Sequence, residues 1–180
     1  GLSDILKAAK VPKGSFYYYF ESKEDFGLAI IEDFAIHYQE KLKDTIENMR
    51  VSPLARLNSY FEAGIAEMEA CKCVNGCLIG NLAQEMSAQS EVFRDRINEI
   101  LSGWETQFAR CLESARKDGT IVSTANTTDL ADFILSGWQG AILKAKVARS
   151  TAPMKTFVKM LFSTVFDSAF QTSTTAIVNS

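Results

Sequence analysis

The chain has few prolines, a single histidine and no net positive charge, and each shortage excludes something. Its three prolines stand at Pro12, Pro53 and Pro153, each where a helical pattern begins or breaks, which is the punctuation of an all-α chain. The only histidine, His37, lies far from the cysteines, so a mixed Cys/His metal site or a thiol–imidazole catalytic pair has little to draw on. A net charge of −3 argues against a general nucleic-acid coat protein, whose affinity rests on bulk positive charge, yet it permits a small reading head on an acidic body. No apolar run is long enough to span a bilayer and no basic-then-apolar leader opens the chain, so no membrane partner is expected and the expected address is the cytoplasm. Four cysteines, three of them within seven residues, do not form the framework of a secreted domain and are expected as free thiols.

What is present is helical periodicity. With 47% hydrophobic residues, a chain of 180 can bury one substantial core but not two large ones. Ile5, Leu6 and Ala9 share a face of a short first helix with Ser3 as its cap, and residues 13–20 form a second after the break at Pro12. Ser22, with Asp25 three residues on, caps a third helix. Its apolar positions Phe26, Ile30, Phe34, Tyr38, Leu42, Ile46 and Met49 carry it to about Arg50. Further helices are expected from Pro53, from Cys77 to about Ser87, from Glu91 to Lys117 with Gly119 as the left-handed stop, from Thr127 or Thr128 to about Ser150, and from Pro153 onward. The expected organisation is residues 1–46 as a head with the start of a connecting helix, 47–171 as a larger body, and 172–180 as a flexible tail.

The last helix carries two apolar rows, Phe157, Leu161, Thr164, Val165 and Ser168 on one side and Val158, Phe162, Phe166 and Phe170 on the other. A helix apolar on two sides is buried on two sides. Together with the small residues Ser136, Gly137, Gly140, Ala141 and Ala145 of the helix before it, this predicts a homodimer through the last two helices.

Two short helices joined by a tight turn and followed by a longer one outline a helix-turn-helix. Gly14 and Ser15 leave the first turn of the second helix free of bulk; Lys13 and Lys23 flank that helix and can neutralise phosphates; Tyr17 and Tyr18 offer hydroxyls or flat apolar surface. Phe16 and Phe20, four apart, are expected to face inward, and Tyr19 is left open. In residues 1–26 four lysines balance four acids, so affinity for DNA has to come from placement.

The run from Leu2 to Phe26, and above all Lys13-Gly-Ser-Phe-Tyr-Tyr-Tyr-Phe-Glu-Ser-Lys-Glu24, strongly resembles the DNA-binding signature of the TetR (tetracycline-repressor-type) transcriptional regulators. The resemblance implies an N-terminal helix-turn-helix joined to a larger helical ligand-binding and dimerisation domain. It also implies a double-stranded operator of pseudo-palindromic sequence, and DNA contacts from Ser3, Lys13, Gly14, Ser15, Tyr17, Tyr18 and Lys23. Two departures stand out. Lys10 occupies a turn position where the family often has glycine. Family members also begin with a helix of about twenty residues that precedes Leu2, so the chain is expected to lack its first helix.

Cys71, Cys73 and Cys77 form a C-x-C-x3-C cluster at the start of a predicted helix. As a metal site it lacks a fourth ligand, and no metal or cofactor is expected. Cys77 is either a small core residue, with the other two passengers in a loop, or a reactive thiol at a helix N-terminus near Lys72. The stretch Asn75-Gly-Cys-Leu-Ile-Gly-Asn-Leu-Ala-Gln-Glu85 is similar to a segment of a TetR subgroup some of whose members sense reactive electrophiles. That similarity maps the sensor cysteine onto Cys77 and a companion lysine onto Lys146. Cys111, on an apolar stripe, is expected in the core, and Phe61, Met68, Trp104, Phe108 and Trp138 are the candidates to line a ligand cavity. The expectation is a transcriptional repressor released by a small-molecule or thiol-reactive inducer, and no enzyme; an all-helical thiol-dependent enzyme using Cys77, or a ligand-binding dimer without DNA, are the alternatives.

Overall fold

The computed structural model describes residues 2–121 and 124–166, and all regular structure among them is helical. The helices are α1 (Leu2–Ala9), α2 (Lys13–Tyr19), α3 (Lys23–Asp44), α4 (Pro53–Ala70), α5 (Leu78–Met86), α6 (Glu91–Lys117), α7 (Thr127–Ala148) and α8 (Ala152–Met160), the last continuing into a π-helical turn, Leu161–Val165. Ser168, Phe170 and the tail from residue 172, all named above, lie outside the described residues. The chain divides into two compact units, Gly1–Tyr38 and Gln39–Ser180. The division falls inside α3, whereas the sequence pattern alone puts it after residue 46.

In the smaller unit α1 packs on α2. α1 ends in a Schellman motif: Val11 N–H donates to Leu6 O at 2.9 Å and Lys10 N–H to Lys7 O at 3.2 Å. That geometry places Lys10 at φ 56°, left-handed backbone that usually selects glycine. Ser3 lies within α1 and is not its cap. α3 begins with a reciprocal cap, in which Asp25 N–H donates to Ser22 Oγ at 3.0 Å and Glu21 N–H to Asp25 Oδ2 at 3.1 Å.

In the larger unit α6 packs against α4, α5 and α7, and α7 against α8. At its centre Tyr60 meets Phe108 with ring centroids 4.8 Å apart, and Phe61 meets Trp138 at 4.9 Å, both edge to face. The expected run of α3 to Arg50 is corrected: the helix stops at Asp44. Thr45 Oγ1 donates back to Lys41 O at 2.7 Å and Glu47 N–H to Leu42 O at 2.9 Å, which closes the helix with a wider turn. The buried Arg56 of α4 then donates through Nη1 to Ile46 O at 3.1 Å, so a carbonyl outside the helix finds its partner.

α6 is capped by Ser90, whose Oγ accepts from Phe93 N–H at 3.2 Å, and the turn beyond it holds Gly119 at φ 70°. α7 starts at Thr127, but its cap is Asn126, whose Oδ1 accepts from Thr128 N–H at 2.8 Å. The small-residue face expected on α7 is split. Ala141 and Ala145 are buried in the chain's own core, and Gly137 makes room for Phe157, whose ring would lie 2.5 Å from a Cβ there. Ser136 and Gly140 stay exposed, alongside Phe133, Leu143 and Val147. No helix among the described residues is long and apolar enough to cross a membrane.

Candidate functional site

The head is built on an aromatic triangle. Phe16, Phe20 and Phe26 have ring centroids 5.0–5.3 Å apart, and Phe16 is buried. With these rings anchoring α2 from behind, its other aromatics turn outward: Tyr17 is 51% exposed, Tyr18 82% and Tyr19 74%. Tyr19, left open by the sequence, therefore belongs to the outward set, and Tyr17 also rests edge-on against Phe16 at 5.1 Å. Ser3, Lys13, Gly14 and Lys23 are exposed and Ser15 is half-buried. A Cβ at Gly14 would meet nothing within 4 Å. Pro12 occupies the N-cap of α2 and supplies no side-chain acceptor to its first amides.

In the larger unit a cavity of about 420 Å³ lies between α5, α6 and α7. The loop before α5 and the helix itself contribute Gly76, Cys77, Gly80 and Asn81; α6 contributes Leu101, Trp104 and Glu105; α7 contributes a stripe from Asp132 through Gln139 to Lys146. Fourteen residues of helix at 1.5 Å each separate the ends of that stripe by about 21 Å. Lys146 marks one end, where its Nζ donates to Asn81 Oδ1 at 3.2 Å while Asn81 Nδ2 donates to Asn75 O at 2.9 Å. Cys77 is the N-cap residue of α5, its side chain makes no capping bond, and its sulfur accepts from Gln139 Nε2 at 3.5 Å. The other end is acidic: burial first, and then the neighbouring Asp132 carboxylate, hold the Glu105 carboxyl above its ordinary range.

Of the residues the sequence proposed, Cys77, Trp104 and Lys146 line this one cavity. Phe61, Met68, Phe108 and Trp138 are not among its lining residues. They are buried in the core, and Phe61, Phe108 and Trp138 spend their ring faces on one another and on Tyr60. Sequence reasoning missed Gln139 and Asn81. Helical spacing contained the signal: Gln139 stands seven residues before Lys146 and Asn81 four after Cys77, each on the same face of its helix.

The thiols differ. Cys111 is buried, bonded through Sγ to Pro53 O at 3.4 Å, and burial pushes its pKa up to about 11 against the opposing charge of Arg56. Cys73 is buried as well. Cys71, which the sequence treated as a loop passenger, has its thiol held below the ordinary range by the backbone N–H of Asn75, helped by those of Val74, Cys73 and Gly76 against partial burial. Among the described residues no three His, Cys, Asp or Glu side chains come together as a metal site needs.

Comparison with known proteins agrees with this architecture. Residues 1–30 match the family described as bacterial regulatory proteins, tetR family, and residues 53–161 match the tetracyclin repressor-like C-terminal domain. The chain is 38% identical over 167 residues to the HTH-type transcriptional repressor DhaR of Mycobacterium sp. strain GP1, covering 93% of this chain and 82% of that one. It superimposes on a regulatory protein TetR from Rhodobacter sphaeroides with a TM-score of 0.85 at 37% identity, covering 89% of this chain and 85% of the other. The reduced form of NemR from Escherichia coli gives a TM-score of 0.81 at 30% identity over 89% and 83% of the two chains. These relatives are transcriptional regulators and not enzymes.

Proposed function

The chain belongs to the tetR family of bacterial regulatory proteins, and from that premise we propose that it represses transcription from a pseudo-palindromic operator and releases it when an inducer enters the α5–α6–α7 cavity. TetR-family repressors bind DNA operators and act as dimers with small-molecule ligands. The finer assignments are ours. Lys13, Gly14, Ser15, Tyr17, Tyr18 and Lys23, with Ser3, form the DNA face; the support is that α2 turns its tyrosines outward while its phenylalanines hold it from behind. Two heads reading half-sites one turn apart, about 34 Å, favour an inverted repeat. The dimer forms through α7 and α8, in keeping with the exposed Phe133, Val147 and Met160 on those helices.

Cys77 is the sensor in this reading, with Lys146 as its companion. The observation that carries it is that Cys77 and Lys146, paired by the subgroup similarity, and Trp104, proposed from aromatic spacing, line one cavity large enough for a small molecule. α6 offers a route out of the cavity. Trp104 and Glu105 line it, and one turn on Gln107 Nε2 donates to Gln39 Oε1 of α3 at 2.9 Å. On the α4 side Lys41 of α3 donates to Glu67 at 2.7 Å. An adduct or ligand that displaces α6 therefore pulls on the C-terminal part of α3, whose other end begins at Lys23 beside α2.

The test is a mobility-shift titration on DNA upstream of the chain's own gene, with and without N-ethylmaleimide. A shift on an inverted repeat that the reagent abolishes, and that persists in Cys77→Ser, is the expected result. Release that survives Cys77→Ser moves the sensor elsewhere, and no shift on any such DNA defeats the repressor reading.

A further inference from the structure

Gln139 is half-buried on α7, in the cavity wall that meets α5. Its amide nitrogen donates to the Cys77 sulfur at 3.5 Å. Its amide oxygen lies over Gly80, where a Cβ would stand only 2.5 Å from that oxygen. The glutamine reaches Cys77 because residue 80 has no side chain. Around this contact the charged group of the same end of the cavity is Lys146, whose Nζ is engaged with Asn81.

We propose that Gln139 is the positioning residue of the Cys77 sensor: seated over Gly80, its amide N–H holds the sulfur toward the cavity, aimed for attack on an electrophilic carbon. The proposal rests on Cys77 being the reacting thiol and adds what prepares it. The thiolate is the nucleophile, and a donor that fixes its sulfur against the cavity wall orients the attack. With a maleimide the step balances without an oxidant. The thiolate adds to one alkene carbon and the C–S bond forms. The π pair moves to the carbonyl oxygen as an enolate, and that enolate takes up one proton, matching the one the thiol gave away.

Two substitutions break the contact from opposite sides. Gln139→Leu removes the donor. Gly80→Ala leaves Gln139 in place but puts a methyl where its oxygen sits, so the amide has to swing off the sulfur, while alanine suits the helix better than glycine. The full chain is treated with N-ethylmaleimide between pH 6 and 9, and alkylation of Cys77 and of Cys71 is followed separately by peptide mass spectrometry. Each variant is expected to slow Cys77 relative to Cys71 by about three- to tenfold, the range that the loss of one hydrogen bond supports. Gln139→Met, which keeps the length of the side chain but not the donor, slows Cys77 as much as Gln139→Leu, which a merely structural role would not do. The double variant is no slower than either single one, because both remove the same bond. An unchanged Cys77 to Cys71 ratio, or losses that multiply in the double variant, overturns the proposal. The Cys77→Ser release assay judges the sensor reading independently, so the two can fail separately.

Discussion

Gly64 and Gly103 are both glycines inside long helices, and they are predicted to respond oppositely to alanine. At Gly64, in α4, a Cβ would lie 2.8 Å from Cζ2 of Trp138, closer than such atoms approach. The atom in the way belongs to a rigid indole only 2% exposed, flanked by Phe61 at 4.9 Å and Phe157 at 6.0 Å between ring centroids. It cannot swing aside as the end of a flexible chain would. At Gly103, in α6, a Cβ meets nothing within 4 Å and the residue is exposed. Either substitution gains about 0.5–1 kcal/mol from replacing glycine in a helix. Gly64→Ala alone incurs the cost of overpacking a filled core, about 1–3 kcal/mol. The two variants should therefore differ by about 1–3 kcal/mol, with Gly103→Ala above the parent and Gly64→Ala below Gly103→Ala. At about 2–4 °C per kcal/mol for a chain this size the gap is readily measured. Urea unfolding at fixed protein concentration, followed by the fluorescence of Trp104 and Trp138, is the assay, since both tryptophans lie in the larger unit. In a Trp138→Phe background the atom at 2.8 Å is gone, and Gly64→Ala should lose most of its penalty. Equal stabilisation by both alanines would refute the packing argument.

Lys10→Gly should stabilise the smaller unit by about 0.5–1 kcal/mol by relieving the left-handed strain at φ 56°, read as slower hydrogen exchange of the α1 and α2 amides. Lys23→Ala should weaken operator and non-specific DNA alike and reduce the slope of log affinity against log salt by about 0.9 for each phosphate it no longer neutralises, two in a dimer; an unchanged slope removes Lys23 from the phosphate-binding set. Glu105→Gln tests the raised carboxyl. An acid whose folded pKa lies above its unfolded value is indifferent at low pH and destabilising once pH has risen through that window. The variant should therefore be more stable than the parent at neutral pH and lose the advantage as pH falls below the ordinary value of 4.5, as measured by thermal unfolding across pH.

The head was legible because its signature is local: Ser22 caps Asp25 N–H three residues on, the Asp25 carboxylate reaches back to Glu21 N–H, and Phe16 and Phe20 share a face by spacing alone. The end of α3 was not. Hydrophobic period reports which side of the chain meets the core, and Ile46 is 1% exposed although it lies beyond the helix, so the pattern ran on after the hydrogen bonds had changed. The cavity was legible only in part for a related reason. Large aromatics at helical spacing find one another, as Phe61, Phe108 and Trp138 do, and fill space. The open volume is bordered instead by Gly76, Gly80, Asn81 and Gln139, which carry no apolar signal. Cys71 was passed over because what distinguishes it is the direction of four backbone amides, and amides are the same in every sequence.

Gly14 bears on how variation in this protein should be interpreted. None of the described residues outside its own helix turn stands within 4 Å of where its side chain would be, so the fold is indifferent to a methyl there. A library at residue 14 sorted for expression would keep alanine, and, with Gly14 on the DNA face as proposed, the same library sorted for repression is where alanine would disappear. On that proposal foldability and function are separate selections at residue 14, and only the second one sees the glycine.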